Sequence, residues 1–389
     1  MTPVYLNALG IINALGNDTA QVREGLMTGN TAGMRRRDGL IPGRAVRAGT
    51  VTTPLAALPE AFAGYDSRNN RLLAEALQQI RPAVDAALSR HGPKRVGIVL
   101  GTSTSGIAEG ERAVAARYAG HALPPEYNYR QQEISSPSEY LRRVLGACGP
   151  AWTVSTACTS SAKAFSSARR LINSGLCDAV VVGGADSLCG LTLNGFGALE
   201  SLSQGLCNPS SKNRDGINIG EGAALFLMSR EPGPVALLGL GESSDAYHIS
   251  GPDPEGHGAE LALRRALAQA GVAQVDYLNL HGTATPQNDQ MENLVVSRVL
   301  GSEVPCSSTK PLVGHTLGAA GATEAAFCWM LLTDPRPASL PPHVWDGIPD
   351  PALAKLNLCS VGYTPQACRV VASNSFAFGG NNACLVLGN

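Results

Sequence analysis

Short apolar runs punctuated by glycine alternate along this chain with longer segments of helical period. Residues 96–100, 178–182 and 277–280 are mostly apolar and of strand length, so each reads as a buried strand. Between the first two, 160–172 places Ala164, Phe165, Ala168, Leu171 and Ile172 on one helical stripe, which Gly175 ends. Strand, helix, strand in this order predicts an α/β architecture. Two internal echoes add to it. Residues 220–227 and 379–387 are both glycine-rich turns entering apolar strands, and 155–158 with its helix parallels 313–315 with the alanine-rich segment 318–332. They predict two similar halves, 1–230 and 231–389, meeting near Glu231-Pro232-Gly233-Pro234, with convergent glycine turns as the competing explanation for the first echo.

At 389 residues the chain exceeds the size at which one hydrophobic core stops growing, so two cores or one double-lobed core are expected. A composition of 44% hydrophobic, 16% charged and 5% aromatic residues, with 44 glycines, suits closely packed α/β structure and excludes a disordered chain. The net charge of −1 gives no global attraction to nucleic acid or an anionic membrane, so any electrostatic docking must be local. The first residues lack a basic n-region and no run is long and apolar enough to span a bilayer, which predicts no signal peptide and no membrane segment. Ten cysteines without a CxxC pair read as reduced cytoplasmic thiols, mostly buried.

Among those cysteines Cys158 is set apart by position. It follows the apolar run 152–154 and opens the predicted helix, where exposed N–H groups and the macrodipole are expected to favour thiolate. Such a strand-to-helix corner exposes a nucleophile and aims N–H groups at a developing oxyanion. A buried filler is the bland alternative. His281 ends a predicted strand and begins His281-Gly282-Thr283-Ala284-Thr285-Pro286, and His315 directly precedes the alanine-rich helix. Each histidine also has a plain reading, as a carbonyl-bonded or solvent-satisfied side chain. Together the three suggest a Cys-His-His site for thioester chemistry. A metal centre is a weaker explanation, because no two of the three lie at short ligand spacing.

These residues sit in motifs that resemble the condensing enzymes with the thiolase fold, in particular the elongating 3-oxoacyl-(acyl carrier protein) synthases. The motifs are Ser155-Thr156-Ala157-Cys158-Thr159-Ser160-Ser161, Gly183-Gly184-Ala185-Asp186, Asp245-Ala246-Tyr247-His248, His281-Gly282-Thr283-Ala284-Thr285, Ser308-Thr309-Lys310, Gly314-His315 with Gly318-Ala319-Ala320-Gly321, and Asn374-Ser375-Phe376-Ala377-Phe378-Gly379-Gly380-Asn381-Asn382. The resemblance implies duplicated halves in a layered αβαβα fold. It also implies decarboxylative elongation, since a degradative thiolase would carry a second cysteine and an initiating synthase an asparagine for one histidine. A non-catalytic chain-length partner typically lacks the nucleophile that Cys158 supplies.

By the same resemblance Cys158 holds the acyl group, His281 and His315 stabilise the enolate, and the backbone N–H groups of Cys158 and Phe378 form the oxyanion hole. Lys310 and Glu324 match a buried pair behind the histidines, with an ordinary salt bridge as the alternative. Thr283, Thr285 and Phe376 match substrate or pantetheine contacts, Phe378 a gating aromatic and Ile107 a pocket wall. Arg68 and Arg71, with Lys212, correspond to a basic docking patch for an acidic acyl carrier protein, and solvated surface charge is the alternative for each. No dissociable cofactor or metal is implied, because the 4'-phosphopantetheine arrives on the carrier. Family members are dimers, so a homodimer or a heterodimer with a chain-length factor is expected, with 131–145 lining the acyl pocket from the partner side. Arg35-Arg36-Arg37, the densest basic run, is left as surface. The weaker match over the first hundred residues, with Ala377 and Asn382 near the end, points to an aryl-polyene or polyketide-like route rather than housekeeping fatty acid synthesis. A non-catalytic thiolase-fold scaffold and a cysteine thioester hydrolase are the rival functions.

Overall fold

The runs at 96–100, 178–182 and 277–280 are strands and 160–172 is a helix in the computed structural model, which describes residues 3–334, 339–365 and 368–389. The strands are β1 (Tyr5–Ile12), β2 (Met34–Ile41), β3 (Arg44–Gly49), β4 (Val96–Gly101), β5 (Ala151–Val154), β6 (Ala179–Asp186), β7 (Gly222–Ser229), β8 (Val235–Ser244), β9 (Tyr277–Asn279), β10 (Pro305–Ser307), β11 (Asn357–Leu358), β12 (Val370–Ala377) and β13 (Asn381–Gly388). The α-helices are α1 (Thr19–Thr28), α2 (Arg68–His91), α3 (Ile107–Tyr118), α4 (Ser136–Leu145), α5 (Ser160–Asn173), α6 (Gly190–Ala198), α7 (His257–Ala270), α8 (Pro286–Leu300), α9 (Lys310–Val313) and α10 (Ala320–Thr333).

Eleven strands form one mixed sheet in the order β11-β10-β9-β12-β13-β8-β1-β7-β6-β4-β5, and β2 pairs with β3 as a separate ribbon. The order repeats. Apart from the two-residue edge strand β11, each half runs from the outside as third, second, fourth, fifth and first strand: β5-β4-β6-β7-β1 in one and β10-β9-β12-β13-β8 in the other. Directions repeat too, since the second strand pairs parallel with the third and fourth while the fifth pairs antiparallel with the fourth and first. The halves join antiparallel through Tyr5 and Leu6 of β1. Both echoes fall on equivalent elements, the first on the fifth strands β7 and β13, the second on α5 and α10.

Alternation along the strands explains the layers. Val180 and Val182 point to Phe165 and Ala168 of α5 in one core, whereas Val181 points with Ile98 to Leu72 and Leu73 of α2 in another. In the second half Leu385 and Leu387 join Phe327 and Met330 of α10, while Cys384 and Val386 face Leu263 of α7 and Val295 of α8. The two halves of the one continuous sheet thus pack on opposite sides of α5 and α10, giving helix, sheet, helix, sheet, helix, the αβαβα thiolase arrangement. In place of two cores or one double-lobed core, each half has an outer core of its own, and a third core between the two half-sheets takes residues from both. The middle helices approach so closely that a β-carbon at Gly321 would sit 2.7 Å from the Ala162 backbone nitrogen, so only glycine fits there. Ala322 N–H also bonds Ser161 Oγ at 2.9 Å, which aligns the starts of α5 and α10 beside each other. No helix among the described residues is long and apolar enough to cross a membrane.

Candidate active site

The chain leaves β5 at Val154 and turns sharply before α5. Ala157 takes the left-handed conformation at φ 51°, and Ser160 Oγ fastens the turn by accepting from Thr156 N–H at 2.9 Å and donating to Ala157 O at 2.6 Å. A non-glycine residue held at positive φ directly before the candidate nucleophile is the kind of strain that marks functional turns. Cys158 lies one residue ahead of the Thr159 cap and is buried. This corrects the expected thiolate. Burial pushes the Cys158 thiol up to about 12, against the opposing Lys310 charge, so the group is a thiol at neutral pH and needs a base to accept its proton. Alkylation of Cys158 by iodoacetamide is therefore expected to keep rising about tenfold per pH unit from pH 7 to 10. A plateau near neutrality would instead show a helix-stabilised thiolate.

That base is within reach. His315 Nε2 lies 2.9 Å from Cys158 Sγ, held by its backbone, whose N–H donates to Asn218 O at 2.7 Å and whose carbonyl accepts from Gly220 N–H at 2.9 Å. The His281 ring meets His315 edge-on at 5.3 Å between centroids. Burial, then the neighbouring Lys310 charge, push both imidazoles well below the usual histidine range, with His315 adding to the effect on His281. Both are neutral at pH 7, and each then keeps one N–H to donate and one nitrogen to accept. The donor atoms of Cys158, His281 and His315 all lie within 4.8 Å of one another, a spacing that a thioester carbonyl or a metal ion could also bridge.

Behind His281 stands a residue that the sequence reading missed. Glu292, buried on α8, accepts from His281 N–H at 2.8 Å, Gly282 N–H at 2.7 Å and Asn374 Nδ2 at 3.2 Å. Burial raises its carboxyl to about 7 in spite of these bonds. Its available signal was Asp289 and Glu292, three apart on one helix face directly after the histidine turn. Asp289 accepts from Ser210 N–H at 2.7 Å and Ala284 N–H at 3.1 Å, so the pair pins the whole loop. Glu292→Ala would strand the buried Asn374 amide and two buried backbone N–H groups, of which the backbone pair alone is expected to cost roughly 2–6 kcal/mol, read by urea unfolding.

Lys310 Nζ donates to His281 O at 2.7 Å and pairs with Glu324, both fully enclosed, and burial raises Glu324 to about 7. Asp186 serves the other wall. It accepts from Ser103 N–H at 2.8 Å, Thr104 N–H at 2.7 Å and Ala319 N–H at 2.9 Å, tying the loop after β4 to the entry of α10.

One pocket collects Cys158, His281, His315, Thr283, Thr285, Phe376 and Phe378. Thr283 and Thr285 hydroxyls face each other at 3.1 Å, and the Phe376 ring lies 5.8 Å from His281. Phe378 is half-buried against Phe196 of α6 at 5.4 Å, a wall residue that the sequence did not reveal. Gly379 and Gly380 follow at φ 80° and 74°, a conformation open to glycine.

Other expected residues lie elsewhere. Ile107 begins α3 and does not line this pocket. Arg68 forks onto the buried Glu221 at 2.7 Å to each carboxylate oxygen, and Arg71 forks onto Asp66 at 2.6 and 2.7 Å. Both guanidiniums are thus held by internal carboxylates. Lys212 is exposed, in a loop whose Gly216 N–H bonds Ala284 O at 3.0 Å beside the histidine turn.

A duplicated five-layer fold with a cysteine and two neutral histidines converging in one pocket defines a thiolase-fold condensing enzyme. The β-ketoacyl synthase N-terminal domain model matches residues 2–232 and the C-terminal domain model residues 235–343, so the chain belongs to the β-ketoacyl synthase family. It is 38% identical over 342 residues to 3-oxoacyl-[acyl-carrier-protein] synthase 2 of Rhizobium meliloti, covering 78% of each chain. Among solved structures it is similar to the ketosynthase ApeO of Xenorhabdus doucetiae, in complex with its chain length factor ApeC, at 48% identity and TM-score 0.96 over 100% of this chain and 98% of that one. The ishigamide ketosynthase/chain length factor structure follows at 26% identity and TM-score 0.89, over 100% of this chain and 99% of that one. The protein is an acyl-transferring ketosynthase.

Proposed function

We propose that this chain is the catalytic ketosynthase of a specialised polyene- or polyketide-like route, extending a Cys158-bound acyl chain with malonyl-acyl carrier protein. The observation that carries this reading is the 2.9 Å contact of Cys158 Sγ with a neutral His315 beside His281. His315 accepts the thiol proton as sulfur attacks the acyl-carrier thioester, and the departing pantetheine thiolate takes that proton away. The acyl group stays on Cys158. Malonyl-carrier then binds, its pantetheine against Thr283 and Thr285, and loss of carbon dioxide leaves an enolate whose oxygen receives hydrogen bonds from His281 and from His315, the latter in its Nε2–H tautomer for this step. The enolate carbon attacks the acyl-cysteine carbonyl, and collapse of the oxyanion held by the N–H groups of Cys158 and Phe378 expels the Cys158 thiolate, which takes the one proton the condensation consumes from solvent water. Lys310, Glu324 and Glu292 position His281. Phe378 swings on Gly379 and Gly380 to admit substrate.

The proposed division at residue 230 puts the nucleophile in one half and both histidines in the other. A second thiolase-like chain is the expected partner. Support comes from the edge strand β5, with Trp152 partly exposed, and from exposed Val114, Tyr118, Leu123 and Tyr129 nearby in sequence. The cytoplasm suits its ten unpaired cysteines.

Intact-mass analysis after incubation with acyl-carrier proteins, then malonyl-carrier, tests the reading. A Cys158-dependent adduct discharged as 3-oxoacyl-carrier supports it, and release of free acid would make the chain a hydrolase. No adduct, even with a co-expressed sister chain, would refute turnover. Loading should persist in chelator, which separates it from a metal centre.

A further inference from the structure

Resting on that reading, we infer that the arginine ribbon β2–β3 is the surface on which the acidic carrier protein docks, in place of Arg68 and Arg71. Five arginines (Arg35, Arg36, Arg37, Arg44 and Arg47) share this ribbon with one acid, Asp38, on a chain whose net charge is −1. Among the described residues only Arg36 finds a carboxylate, Asp38 at 3.6 Å, and both groups are solvent-exposed. Elsewhere arginines are widely committed, as the carboxylate forks of Arg68 and Arg71 show. The ribbon's register sets Arg36 directly opposite Arg47. Like charges directly across a strand pair destabilise it, and an acidic partner would relieve that repulsion.

The ribbon's place in the fold gives the charge a use. Its tip packs on α6, where Asn194 Nδ2 donates to Leu40 O at 3.2 Å, and Leu40 and Ile41 join the same small core as Phe196. Phe196 also lines the Cys158 pocket against Phe378. One helix therefore separates the basic ribbon from the pocket that must receive the carrier's pantetheine arm. A carrier steered onto the ribbon is delivered to that mouth, by an attraction that screens with salt.

The test compares two donors carrying the same acyl group, acyl-carrier protein and acyl-pantetheine, in Cys158 loading by wild type and by the exposed-site variant Arg35→Glu/Arg36→Glu/Arg47→Glu. The variant should load from the carrier roughly ten- to a hundred-fold more slowly at low salt, with a flattened salt dependence, and from acyl-pantetheine at the wild-type rate. The triple lysine variant should keep most of the carrier rate. An unchanged carrier rate with wild-type salt dependence would overturn the assignment. Equal slowing with both donors would make the ribbon structural, and failure to co-purify with a sister chain would make it that partner's seat; either result overturns it. If wild type takes no acyl group from either donor, the functional reading itself has failed.

Discussion

Cys158→Ala is expected to form no acyl-enzyme and to lose condensation by a factor on the order of 10³ or more, while still releasing carbon dioxide from malonyl-carrier. The split follows from the site's geometry. Acyl transfer needs the sulfur and the His315 nitrogen 2.9 Å away, whereas decarboxylation needs the two imidazoles, His281 held from behind by Lys310 and Glu292 and His315 by its backbone bonds to Asn218 and Gly220, neither by the thiol. His281→Ala should show the reverse: Cys158 still gains the acyl mass, but carbon dioxide release falls roughly 10²- to 10³-fold, the usual consequence of removing one donor to a developing oxyanion. Labelled malonyl-carrier and intact mass read both steps in one experiment. Loss of both steps in either single variant would contradict the division of labour.

The three central residues were legible because each sits where a pattern ends. Cys158 marks the change from strand to helix, His281 the exit of β9, and His315 the approach to α10. The duplicated halves were legible as two weak echoes, and the equivalence of β7 with β13 and of α5 with α10 gives those echoes a structural basis. What escaped depends on burial and on distant partners. The protonation state of Cys158 was misjudged because helix position is written locally, but desolvation is a property of everything packed around the sulfur. The guanidinium of Arg68 was free in the sequence reading because its partner, Glu221, lies 153 residues away. Glu292 was silent for the reason that two acids on a helix face ordinarily mean a solvated surface, and only the packed loop turns them into anchors for His281 and Ala284. Phe196 had no motif, since its place on the pocket wall comes from packing against Phe378.

Breaking the enclosed pair behind His281 should have a large effect on stability, and one that changes with pH. Lys310→Met removes the countercharge of Glu324 and the donor to His281 O, and removing one partner of a buried pair costs about 3–5 kcal/mol. The loss should depend on pH in a stated direction. Burial already raises Glu324 to about 7 from an ordinary 4.5 with Lys310 beside it, and without that charge it rises further. A carboxyl whose folded pKa is raised keeps its full stability below the unfolded value and loses it as pH rises through the folded one, so the variant should be less impaired at pH 5 than at pH 8 by urea unfolding. Replacing both partners, Lys310→Met/Glu324→Leu, leaves no uncompensated charge and should recover most of the stability across this range. Condensation should stay slow in the double variant, because nothing then bonds the His281 carbonyl from Lys310's side. Recovery of rate along with stability would show the pair to be a packing element alone; stability without rate identifies Lys310 as the residue that positions the histidine.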